Sequence, residues 1–92
     1  MMLITVRFFA STKTRPARLK SFAVSQNDKR ISAVLLCKSD DSDPSVDNVT
    51  DAARKVLKKW MLDSNDDELN FDVGILGTDY KKDFIVFAKP LL

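Results

Sequence analysis

One stretch of this 92-residue chain, from Pro44 to Leu62, carries the three-four spacing of an amphipathic helix, and most of the remainder follows a repeat of two. In that stretch Val46, Val49, Ala53, Val56, Leu57 and Trp60 fall on one stripe. Asp43 is placed to cap the helix and Pro44 to take its first position, where a missing N–H costs nothing. Asp47 and Asp51 come early and Lys58 and Lys59 late, in the sense that the helix dipole favours, and Asp51 and Lys55 form an i,i+4 pair. A single helix with a single apolar stripe can cover one side of a sheet and no more. That limit shapes everything else the chain can build.

The period-two segments supply the sheet. From Met2 to Ala10, Met2, Ile4, Val6, Phe8 and Ala10 alternate with Leu3, Thr5, Arg7 and Phe9, which predicts a strand. The polar stretch Ser11 to Pro16 reads as a loop. Ala17 to Ser25 reads as a second strand, and the different parities of Leu19 and Phe22 predict a bulge or a strand with two apolar sides. Gln26 to Lys29 is turn chemistry, because Asn and Asp tolerate left-handed backbone. Arg30 to Cys37 is a third strand, completing a meander. After the helix, Leu69, Phe71, Val73 and Ile75 alternate with polar residues and glycine. Gly77 to Asp79 turns the chain, Tyr80 to Lys89 forms the partner strand, and Pro90 stops it. The expected fold is therefore α+β: a single domain, residues 1–92, with a five-stranded antiparallel sheet in the order β-β-β-α-β-β and one helix packed on a face.

Composition excludes much chemistry. The chain has no histidine, which rules out Ser-His-Asp and Cys-His centres. Cys37 is the sole cysteine and sits in an apolar run, as a buried structural thiol does. Gly74 and Gly77 are too few for a phosphate-cradling loop. Asp63 to Asp67 starts like a calcium loop but has Glu68 where glycine is needed and Gly74 where the closing glutamate belongs. Asp40 to Asp43 fails through Pro44 and the lack of glycine. Asn48-Val49-Thr50 matches a glycosylation pattern by coincidence, inside a helix. No catalytic residue, metal or cofactor is expected. The N-terminal apolar run lacks a basic flank and is broken by Arg7, unlike a signal peptide, and the lone cysteine suits a reducing cytoplasm.

Net charge is +2 but unevenly spread. Residues 1–38 hold eight basic side chains against Asp28 alone, residues 39–72 hold ten acidic against four basic, and the last twenty are nearly balanced. Such asymmetry points to an anionic partner for the basic part, while neutralisation of one half by the other is the alternative. The candidate partner-binding residues are Arg7, Arg15, Arg18, Lys20, Lys29 and Arg30, with Phe9 or Phe22 as a surface on which a base stacks. On the opposing reading both phenylalanines are core and the cations protect a sheet edge. Arg54, Lys55, Lys58 and Lys59 read as a solvated helix face.

The chain length, the Met1-Met2 start, the first strand and the β-β-β-α-β-β order together resemble the small phage-encoded anti-CRISPR proteins that act on type I-F surveillance complexes. Those proteins share no diagnostic motif, so the resemblance carries over no contact residue. It implies a monomeric, stoichiometric inhibitor that docks on Cas backbone subunits, with guide-RNA contact, and obstructs target DNA. The competing expectations are a small RNA- or single-stranded-DNA-binding module, and a structural subunit that pairs through a strand edge.

Overall fold

The computed structural model describes residues 2–24, 28–37, 44–64 and 71–90, with positions 62–64 described by backbone alone. The alternating segments form β1 (Met2–Phe9), β2 (Arg18–Val24), β3 (Arg30–Leu36), β4 (Phe71–Thr78) and β5 (Phe84–Pro90), and the striped segment forms α1 (Val46–Ser64). All five strands join one antiparallel sheet in the order β3-β2-β1-β5-β4. The meander accounts for three neighbours, and β5 returns to pair with β1, which becomes the centre.

Strand parity divides the sheet into two faces. Ile4 and Val6 of β1, Leu19 and Ala23 of β2, Ile31 of β3 and Val86 and Ala88 of β5 meet Val49, Ala52, Ala53, Val56 and Leu57 of α1 in one buried cluster. Fully burying a side chain such as Ile4 or Leu19 stabilises the fold by about 1.5–3 kcal/mol. The helix lies mainly across β2 and β3. Trp60 is half-buried at the border of this cluster, and Cys37 is likewise half-buried against it. Ser21 is the polar exception inside, and its hydroxyl donates to the Ala33 carbonyl at 3.4 Å.

Several local expectations need correction. The helix starts at Val46, two residues later than Pro44, and its cap is Ser45, whose Oγ accepts from the Asn48 amide at 3.0 Å. Asp43 lies outside the described residues, as do the acidic stretches 40–43 and 65–67. The helix continues to Ser64, so Lys58 and Lys59 fall short of its last turn. β2 carries no bulge. Its register with β3 is unbroken from Arg18 to Val24, and Leu19 and Phe22 differ in parity because they serve opposite faces. The irregularity is in β4, between Ile75 and Gly77, where Gly77 adopts φ of 153°. Tyr80 belongs to the β4–β5 turn, because the Asp79 carboxylate accepts from the Lys81 and Asp83 amides, both at 2.9 Å, and closes the chain there. Pro90 is the last residue of β5, opposite Phe71.

The helix face read as merely solvated also acts on the sheet. Lys55 donates to the Val34 carbonyl at 2.5 Å and Lys59 to the Ser32 carbonyl at 3.0 Å. Both acceptors belong to β3, the terminal strand on that side, so α1 closes part of an edge that would otherwise present bare peptide groups.

Candidate functional site: the uncovered sheet face

Strand parity places on the second face the residues that α1 does not reach. Register lines them up in rows across the strands. Leu36, Arg18 and Phe9 form the first row, and Val34, Lys20 and Arg7 the second. Ser32, Phe22, Thr5 and Ile85 make the third. Beyond them Arg30 pairs with Val24, and Leu3 pairs with Phe87. Strands β1, β2 and β3 contain no acidic residue at all. Four large apolar side chains on this face are well exposed: Leu3 at 55%, Val24 at 56%, Val34 at 41% and Leu36 at 66%. Apolar side chains gathered on one face with cations among them make it a candidate interaction face.

The aromatic rings are paired with cations. The Arg18 guanidinium lies 4.6 Å from the centre of the Phe9 ring, and the Lys20 ammonium lies 5.3 Å from that of Phe22. Each pair draws on the negative face of the ring and holds a flexible basic side chain flat against the sheet. Phe87 is seated differently. It crosses over Gly74, where a Cβ would stand 2.5 Å from the ring, so glycine is required there for the ring to lie down.

Arg7 has a separate role from the other cations. Its Nε donates to Asp83 Oδ1 at 3.0 Å and its Nη2 to Oδ2 at 2.8 Å, a two-pronged pair across 76 residues. Asp83 is buried, with a side chain 5% exposed, whereas that of Arg7 is 43% exposed. The hydrogen bonds from Arg7 hold the Asp83 carboxyl below its usual range and raise the guanidinium further. Arg7 therefore contributes donors to the face but little net charge.

Of the six sequence-derived candidates, four reach the uncovered face: Arg7, Arg18, Lys20 and Arg30. Arg15 stands in the β1–β2 loop beyond the Phe9–Arg18 row, where its amide is held by Thr12 Oγ1 at 3.2 Å. Lys29 is exposed in the β2–β3 turn, next to Asp28 with φ of 58°. Phe9 and Phe22 belong to this face and not to the core. Sequence reasoning missed Phe87, which lies on this face, and Asp83, the partner of Arg7. Asp83 had no local signal, because its partner lies at the other end of the chain. Among the described residues no helix is long and apolar enough to cross a membrane, and no cluster of three or more metal-ligating side chains occurs. No protein-family model, curated protein or solved structure matches the chain.

Proposed function

We propose that this domain is a non-catalytic binding module whose uncovered sheet face takes single-stranded RNA or DNA in the cytoplasm. The observation that carries this reading is the pairing of Arg18 with Phe9 and Lys20 with Phe22 in neighbouring rows of a meander whose strands hold no acidic residue. A single strand needs two things from a protein: cations spaced along its phosphates, and flat surfaces for bases freed from a duplex. The three-stranded meander supplies both, and a flat sheet has no groove-reading helix to demand duplex DNA.

The test is affinity for an unstructured oligonucleotide as salt is raised. The wild-type protein binds at low salt, and log K falls with log salt by about 0.7 per neutralised phosphate. Arg18→Glu with Lys20→Glu lowers affinity at least about tenfold and flattens that slope, while the melting temperature holds. An oligonucleotide affinity indifferent to this double substitution rejects the reading.

A second reading rests on the exposed aliphatic fringe of Leu3, Val24, Val34 and Leu36, which a naked strand does not need. Apolar side chains beside cations suit a protein carrying nucleic acid, in keeping with the resemblance to type I-F inhibitors. In that case the protein blocks target-DNA binding by a purified type I-F complex, and Leu36→Asp relieves the block. Unchanged DNA binding by the complex removes this alternative.

A further inference from the structure

At one side of the uncovered face the β4–β5 turn and the β2–β3 hairpin border a cleft of about 410 Å³. That volume falls in the range of small-ligand sites, which run from about 300 to 1,000 Å³. Phe22 and Tyr80 are its aromatic residues, Arg30 and Lys81 its cations outside an ion pair, with the Lys81 ammonium 5.6 Å from the centre of the Tyr80 ring, and the Arg7–Asp83 pair lies among its walls. We propose that this cleft holds one nucleotide unit, base and phosphate together, either free or as part of a strand lying on the sheet. The proposal deepens the single-strand reading and rests on it.

The chemistry of the walls argues for this ligand. Tyr80 is 88% exposed, an unusual setting for a residue of its size, and contact with a base would shelter its ring. Its turn is closed by the Asp79 carboxylate, which accepts from the Lys81 and Asp83 amides, so the backbone that carries the ring is braced on its C-terminal side. The Arg7 guanidinium spends two of its five N–H groups on Asp83 and keeps three, on the edge turned away from that carboxylate. Asp83 in turn has both oxygens engaged and its charge matched, so it offers little repulsion to an incoming phosphate. Asp79 is the remaining acid of the cleft, against Arg30 and Lys81. The balance favours an anion, and the two rings favour one that carries a flat, apolar-faced group.

The experiment titrates isotope-labelled protein with adenosine monophosphate and, separately, with an unstructured oligonucleotide, reading backbone amide shifts and affinities. The expected result is shifts at Thr5, Val24, Tyr80 and Lys81 with both probes. Tyr80→Ala should then weaken both by about tenfold, the worth of one stacked base, without altering the melting temperature. Lys81→Glu should weaken the monophosphate more than adenosine, which lacks the phosphate. Binding of the oligonucleotide alone, with the same loss on Tyr80→Ala, assigns the cleft to a strand and leaves the proposal standing. Oligonucleotide and monophosphate affinities both unmoved by Tyr80→Ala overturn it. In that event the response to Arg18→Glu with Lys20→Glu decides separately whether the sheet face still binds a strand.

Discussion

The same five strands build two faces under opposite rules. On the helix side Ile4, Val6, Leu19 and Val86 are wholly buried, and the fit is set by the neighbours across α1. On the other side Leu3, Val24 and Leu36, the same kinds of side chain one residue along, stand more than half exposed. Hydrophobicity alone does not distinguish Ile4 from Leu3. Position in the pleat does, together with the fact that among the described residues there is one amphipathic helix to cover a face. The lesson is that the exposed apolar residues are a remainder of the architecture, left with cations among them on the face that α1 does not cover.

The widest separation between the faces should come from truncation. Ile4→Ala or Leu19→Ala is expected to cost about 2–5 kcal/mol in urea unfolding, through lost transfer energy and a cavity. Leu3→Ala and Leu36→Ala are expected to stay within about 0.5 kcal/mol of wild type. Trp60, half-buried at the margin, should fall between these limits on truncation to Ala. An equal cost for Leu3 and Ile4 would mean that something covers the second face.

A smaller effect is expected at the point where the uncovered face carries its own structural pair. The carboxyl of Asp83 is held below its usual value of 3.8, first by its hydrogen bonds from Arg7. A carboxylate whose pKa is lower when folded contributes stability that is fully present above its unfolded value. That contribution is lost as pH falls through the folded value. Arg7 stays charged throughout. Asp83→Asn should therefore lower the melting temperature at neutral pH, and the gap from wild type should close as acidification carries the pH below 3.8 and through the lowered folded value. A gap that stays constant with pH would show that the pair contributes by shape and not by charge.

The helix, the first strand and the five-strand count were legible because each is written locally. The stripe from Val46 to Trp60 and the alternation from Met2 to Phe9 need no knowledge of distant partners. The site was half legible. Cations clustered in residues 1–38 pointed to β1–β3, but which of them share a face depends on the pairing of Phe9 with Arg18 and of Arg7 with Lys20, which no local pattern fixes. Tyr80 was misassigned to a strand because its β-propensity outweighed the turn that Asp79 imposes from its side chain. Lys55 and Lys59 looked solvated because a helix wheel shows where a side chain starts and not where its four-carbon stem ends.

The smallest expected effect tests those two lysines. Lys55→Gln combined with Lys59→Gln should cost about 0.5–1 kcal/mol, two weak hydrogen bonds at an exposed margin. Amide exchange in β3 should quicken while that in β1 does not. Unchanged exchange in β3 would show that the lysine contacts do not protect the edge.

That latch also bears on how copies of the molecule meet. Growth of a strand-stacked filament needs two receptive margins per subunit, so that each copy can accept one neighbour and offer itself to the next. Here two carbonyls of the β3 margin, those of Val34 and Ser32, are held by the molecule's own helix, and the β4 margin is kinked at Ile75–Gly77. Each margin is therefore a poorer template for a second copy than a straight, bare strand would be. A chain this short, crowded beside copies of itself, is by that much less ready to stack into a polymer.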